Sequence, residues 1–398
     1  MNTHEYDAVV IGGGIAGFIA ALKIVDAGYK TAVISRGDPV CCLSTGCIDV
    51  LSNSDNPLKA IKDLSEDHPY QIVGKKGVTE ALEYFIEIMK ETALPYRGEV
   101  KKNRGILTPV GTIKKTCLVP ETMKNAIGDN EEPIHVISFK GIKDFYPSYI
   151  TSRISNSGFS VFDAKSVTTL GIAGRFEDRD FLRSFISWAQ DLDIPHVKIA
   201  LPAVLGLNEP LKIMKELSLR TNKEIFEIPT LPPSIPGMRL FRALKSALEV
   251  RGGHIYWGKP VSSVERQGSR VEAITLATSG KPSRVCGRSF ILATGSFVSG
   301  GLFALRDSVR ETVFDLPVFV PGHRKDWFNN NFFTQGHEIE KAGVLIDPSF
   351  RPKDSNLENL FVCGSIIAHS EIMKNQCGHG IAIATGAAAA MKCIKELS

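Results

Sequence analysis

The stretch DAVVIGGGIAGFIAALKIVDAG, residues 7–28, decides how this chain is read. Asp7 to Ile11 is a short apolar run, Gly12-Gly13-Gly14-Ile15-Ala16-Gly17 follows at once, and an amphipathic segment then continues through Ala27 to Gly28. The order is strand, tight glycine turn and helix, with Gly28 as the stop, and Thr31 to Ser35 predicts a second strand. The glycines have separate tasks. Gly12 turns the backbone, Gly14 lets it approach a phosphate, and Gly17 permits close packing of helix on strand, while the helix N-terminus offers unpaired N–H groups to an anion. The strand before and the helix after give the spacing its weight. Residues Gly12 to Gly17 are therefore expected to hold the phosphate of a dinucleotide or flavin.

The end of the second strand is less regular. A carboxylate usually stands there to hold a ribose 2′-hydroxyl, whereas this chain has Ser35 and Arg36. Three readings follow: NADP with Arg36 on the 2′-phosphate, FAD held without the carboxylate, or FMN, which has no adenosine ribose.

The far end of the chain carries matching signals. RSFILATG ends in Ala293-Thr294-Gly295, and LENLFVCG ends in Gly364, followed by Ser365. Beyond them Gly378 and Gly380 precede a helix of small residues, which can approach a flat ring closely and set its N-terminus against developing negative charge. Such a segment suits a flavin better than NADP. Val261 is expected to start a strand passing the nucleotide side of the cofactor.

Length and composition bound the rest. At 398 residues the chain exceeds one ordinary hydrophobic core. Its net charge of +4 is too small for a general nucleic-acid footprint. The start lacks the basic and apolar regions of a secretory signal, and GIAIATGAAAAM is too short to span a bilayer, so a cytoplasmic protein with no transmembrane segment of its own is expected.

The fold class predicted is α/β: a Rossmann-like domain built from both ends of the chain, 1–53 and 232–398, with an inserted α+β cap domain over 54–231. Leu82, Phe85, Ile86 and Met89 recur at helical spacing, as do Phe181, Leu182, Phe185, Ile186 and Trp188. Both stripes read as core-facing. PIHVISFKGI and GFSVFDAKSV read as strands, and the proline-rich Ile228–Gly237 reads as a stiff extended linker closing the insertion. From Arg239 an amphipathic helix runs to a stop at Gly252.

Candidates for chemistry are fewer. His323 and Arg324 follow a proline-glycine turn, and His369 and His379 flank the late glycine segment. A histidine beside a flavin can take an alcohol proton while hydride leaves to the ring, and Arg239 or Arg324 can clamp a phosphate. Cys41, Cys42 and Cys47 crowd into seven residues. They lack the fourth ligand and paired Cys-x2-Cys spacing of closed zinc or iron–sulfur sites, so no metal site is expected. Ser44, Thr45, Gly46 and Cys47 are expected instead to pass near the ring.

The residues 7–37, STGCIDVLS, PSIPGMRLFRALKSALEVRGG, FILATGSFVSGGL and GVLIDPSFRPKDSNLENLFVCGSIIAHSEIMKNQCGHGIAIATGAAAA together resemble the B-subunit family of the anaerobic glycerol-3-phosphate dehydrogenases. Ser35 in place of the acidic residue and Ser365 where many FAD enzymes place an Asp both fit that resemblance. It implies a flavin, FMN with FAD as the alternative, in a polypeptide working beside a larger FAD-containing catalytic subunit. An iron–sulfur subunit at the membrane would pass electrons to the quinone pool. The implied substrate is a small phosphate, sn-glycerol 3-phosphate, oxidised to dihydroxyacetone phosphate.

Overall fold

The computed structural model describes residues 2–126, 132–278, 280–331 and 336–398. β1 (Asn2–Ile11) is exposed over its first four residues and buried through Ala8–Ile11. α1 (Ile15–Asp26) follows the glycine turn, and β2 (Thr31–Ser35) is buried at every position. Continuous apolar runs of this kind belong to parallel strands covered on both faces. The expected amphipathicity of α1 is not seen: Ile15 to Leu22 are all buried. Two later helices pack on it, so no side is left for solvent.

A short helix α2 (Pro57–Ala60) leads to α3 (Pro69–Lys90), in which Leu82, Phe85 and Met89 are buried and Ile86 packs on the same core. That core is the one formed by β1 and α1, so this helix, although inside the 54–231 segment, packs with the domain built from the chain ends. Four short strands follow as two antiparallel pairs: β3 (Tyr96–Gly98) with β6 (Leu118–Pro120), and β4 (Arg104–Leu107) with β5 (Ile113–Thr116).

The inserted segment proper alternates strand and helix: β7 (Ile134–Phe139), α4 (Pro147–Thr151), β8 (Gly158–Phe162), α5 (Thr169–Phe176), α6 (Arg179–Asp191), β9 (Lys198–Pro202), α7 (Pro210–Thr221) and β10 (Glu224–Ile228). Its sheet has the order β10-β9-β7-β8 and is parallel throughout. Phe139, Phe162, Phe176, Phe181, Phe185 and Trp188 form its aromatic core, with ring centroids 4.9–6.3 Å apart.

The linker is shorter than the sequence suggests. Ser234 accepts the Gly237 N–H as an N-cap, and α8 (Ile235–Val250) begins at once, because proline is tolerated in a first helical turn. The chain then re-enters the first sheet through β11 (His254–Trp257), β12 (Val261–Gln267), β13 (Arg270–Leu276) and β14 (Ser283–Leu292). A small hairpin, β15 (Leu302–Ala304) and β16 (Val309–Glu311), precedes β17 (Leu360–Val362), α9 (Ile372–Asn375) and α10 (Gly378–Leu397). The order β11-β2-β1-β14-β13-β12 makes the large sheet, and β17 pairs the second half of β14. Small residues let α10 settle on α1: a Cβ at Gly386 would lie 2.5 Å from the Ala16 carbonyl oxygen.

Candidate functional site

Four parallel pairings place Tyr256, Ile34, Ile11, Leu292 and Val362 in one row across the sheet. The chain therefore leaves β11, β2, β1, β14 and β17 at one edge, carrying Ser35, Gly12–Gly14, Ala293–Gly295 and Gly364–Ser365 to it together. Ligands of open α/β sheets bind outside this carboxyl edge.

The glycine turn is built for close approach. Gly12 has φ +127°, and a Cβ on it would stand 2.1 Å from the Ala293 carbonyl oxygen. A Cβ on Gly17 would stand 1.9 Å from the Gly12 carbonyl oxygen. Around Gly14, by contrast, nothing lies within 4 Å of a built Cβ, and α1 has no side-chain cap. Open space beside uncapped N–H groups is what a phosphate needs. Thr294 Oγ1 is buried without a partner among the described residues. Gly295 has φ +73° and lies close to Ser299 and Ser365. The residues at the edge thus fit a flavin nucleotide, whose phosphate Gly12–Gly17 would hold.

The β2 end is occupied by its own side chains. Ser35 Oγ donates to the Gly37 carbonyl at 2.8 Å and sits against Gly13. Arg36, exposed, donates to the Ser299 carbonyl at 2.9 Å across Gly300. Val261 is half-buried against the first core and follows Lys259, whose N–H donates to the Ser35 carbonyl, but the strand it starts, β12, pairs with β13 at the edge of the sheet away from β2.

The loop of Ser44, Thr45, Gly46 and Cys47 is tied down from several sides. Gly46, at φ +74°, rests on Pro236 of α8, and its carbonyl accepts from the Tyr96 hydroxyl at 2.5 Å. Ile48 pairs with Leu118, Thr116 Oγ1 donates to Asp49 at 2.7 Å, and Lys114 forms an ion pair with Asp49. The first turn of α10 meets the same loop. His379 Nδ1 lies 2.8 Å from the Cys47 carbonyl, and the Gly380 N–H donates to the Asp49 carbonyl at 3.0 Å. A carbonyl only accepts, so Nδ1 carries the proton and Nε2 is left as the basic nitrogen. Burial holds this imidazole below its ordinary range, against the Cys47 hydrogen bond and Asp49, which act upward. Burial pushes the Cys47 thiol up to about 12, so it is not a thiolate near neutrality. Gly380 packs on Tyr70, Asp49 and Val50, whereas Gly378 heads the helix half-exposed.

The other candidates lie elsewhere. His323 and Arg324 are exposed and line a shallow surface dent of about 420 Å³ with Asp307, Gly322 and Lys325. Arg324 donates to the Leu305 carbonyl at 2.6 Å. Arg239 is not a free phosphate clamp, because it is buried in a two-point pair with Glu227 at 2.6 and 3.0 Å. His369, at φ +60°, lies against Phe319 with centroids 4.5 Å apart. Cys41 and Cys42 are buried in the turn Val40–Leu43, packed on the start of α8. Among the described residues, no three His, Cys, Asp or Glu side chains gather as metal ligands, and no helix is long and apolar enough to cross a membrane. Tyr96, Thr116 and Lys114, which hold the loop, have no periodicity or motif that marks them in the sequence.

Comparison with known proteins defines the class first: residues 7–381 match the family described as FAD binding domain, so the chain is a flavoprotein of the oxidoreductase kind. Within that class it belongs to the B-subunit family of the anaerobic glycerol-3-phosphate dehydrogenases. The B subunit of that dehydrogenase from Vibrio vulnificus is 30% identical, covering 98% of this chain and 96% of that protein. The probable B subunit from Halobacterium salinarum is 28% identical, covering 97% of each. Among solved structures, Sdh1 of Mycobacterium smegmatis in complex with UQ1 matches at a TM-score of 0.48 and 9% identity, over 100% of this chain and 69% of that one. The E. coli quinol fumarate reductase FrdA matches at 0.46 and 9%, over 100% and 71%.

Proposed function

We propose that this chain is the flavin-bearing B subunit of an anaerobic glycerol-3-phosphate dehydrogenase. In that complex sn-glycerol 3-phosphate loses two electrons and two protons to become dihydroxyacetone phosphate, and the electrons pass toward the quinone pool. A larger FAD-containing subunit and an iron–sulfur subunit at the membrane are its partners. The observation that carries the reading is the row of strand ends converging on an open Gly14 turn, in a chain matching its B-subunit relatives over nearly its whole length.

FMN is the flavin that the β2 end favours. The single donor of Ser35 is committed to Gly37, and Arg36 is strapped to Ser299, so neither is set out for an adenosine ribose. When bound, the flavin supplies the two-electron acceptor. Gly12–Gly17 would bind its phosphate, Gly46–Cys47 would stand beside its ring, and His379 Nε2 would be the group able to accept an alcohol proton. His323 is second to His379 in that role, and Arg324 beside it could only clamp a phosphate, because the two line a separate surface dent.

Mass spectrometry of the released cofactor tests the flavin, with FMN expected and FAD overturning that part. Adding glycerol 3-phosphate to the assembled complex should bleach the absorbance at about 450 nm; an unchanged spectrum overturns the activity.

A further inference from the structure

We propose that the cleft walled by β3 to β6 binds a phosphate group. The cleft holds about 380 Å³, and Arg97, Arg104, Lys124 and Thr116 line it above an apolar floor of Ile106 and Val119. Residues 97–124 contain seven Lys or Arg and two Glu, an excess of five, against +4 for the chain as a whole. Of the seven, Arg97, Arg104 and Lys124 line the cleft together with Glu99, while Lys114 and Lys115 pair with Asp49 and Asp55.

The carboxylates order the cations instead of cancelling them. Glu121, with 9% of its side chain exposed, pairs with both Arg97 and Lys124 and so fixes the two together. Arg97 is 63% exposed and uses Nε in that pair, which leaves its outer N–H groups for a ligand. Arg104 pairs with Glu99 through Nη2, while its Nε is buried with no acceptor among the described residues. The outer N–H groups of Arg97 are the ones open to the cleft, and an oxyanion can meet that guanidinium with two parallel hydrogen bonds.

The volume and the apolar floor suit a short carbon chain carrying one phosphate. The same walls reach the loop described above, since Thr116 donates to Asp49 and Tyr96 of β3 donates to Gly46. The proposal concerns binding alone and does not depend on which flavin is present.

Calorimetric titration of the flavin-loaded protein at low ionic strength tests it, with inorganic phosphate, glycerol 3-phosphate and glycerol as the three probes. One saturable site is expected for the phosphates and none for glycerol, weakening as salt is raised. Arg104→Gln and Lys124→Gln should each weaken binding roughly tenfold or more, with the circular dichroism and flavin spectra retained. Lys76→Gln, on the exposed face of α3, should leave binding unchanged. Displacement of bound phosphate by glycerol 3-phosphate marks a phosphomonoester as the occupant, and failure to displace marks the free anion. No saturable binding of either phosphate, or binding unchanged in both cleft variants, overturns the proposal.

Discussion

His379 and Cys47, 332 positions apart, are joined by a 2.8 Å hydrogen bond between the imidazole Nδ1 and the Cys47 carbonyl. The bond fixes the tautomer, and with Gly380 on the Asp49 carbonyl it locks the first turn of α10 to the loop after β2. If His379 Nε2 takes the substrate proton, His379→Ala should slow flavin reduction about 100-fold or more while flavin content is unchanged. Because burial lowers this imidazole, the wild-type rate should rise with pH and level off at a midpoint below about 6.5. The variant should lose that rise. A variant as fast as wild type across the pH range removes His379 from the chemistry.

Gly14 and Gly17 should fail differently when changed to alanine. A methyl at Gly17 meets the Gly12 carbonyl at 1.9 Å, inside the turn, so Gly17→Ala should lower stability by several kcal/mol and lose flavin with it. A methyl at Gly14 meets nothing within 4 Å in the protein and projects where the phosphate would lie. Gly14→Ala should therefore keep its denaturation midpoint and lose flavin affinity. Flavin content and urea midpoints measured side by side separate the two, and retention of full flavin by Gly14→Ala would place the phosphate elsewhere.

These contrasts show where the sequence is legible. Strands β1, β2, β14 and β17 and their glycine ends are readable because apolar runs and positive-φ turns are local properties. What is not local escapes. The burial of α1 on all sides depends on α8 and α10, and α3 joins the first core because α10 arrives about 290 positions later to cover it. Arg239 looks like a phosphate clamp until Glu227 closes on it across the interface of β10 and α8. The cleft of Arg97, Arg104 and Lys124 is assembled from four short strands that carry no strong pattern of their own.

The Arg239–Glu227 pair itself makes a stability prediction. Both side chains are at most 1% exposed, Arg239 Nε also donates to the Gly206 carbonyl, and Glu227 accepts the Leu205 N–H. Removing one charge strands the other, so Arg239→Met should cost about 3–5 kcal/mol in urea denaturation. The double variant Arg239→Met, Glu227→Leu should cost clearly less than the two single variants added together. Additive losses would mean that the two charges do not act as a pair.

His68 sets an acid limit on the fold. Its ring is fully buried, and Nδ1 accepts the Tyr70 N–H as the cap of α3. Burial lowers its pKa to about 4, with Glu371 and a hydrogen bond to the Ser370 backbone acting upward. The unfolded chain, near 6.5, binds the proton more readily, so protonation favours unfolding. The contribution of this neutral imidazole is fully present above about pH 6.5 and is lost as pH falls toward 4, amounting to at most about 3 kcal/mol. His135, His254 and His369 are also lowered, first by burial, and add slope of the same sign. His68→Asn keeps an acceptor for the helix cap but does not titrate. Urea midpoints followed between pH 7 and pH 4 should therefore fall less steeply in His68→Asn than in wild type. Equal slopes would assign the acid sensitivity to the other histidines and to the carboxylates lowered in the fold, such as Glu121 and Asp178.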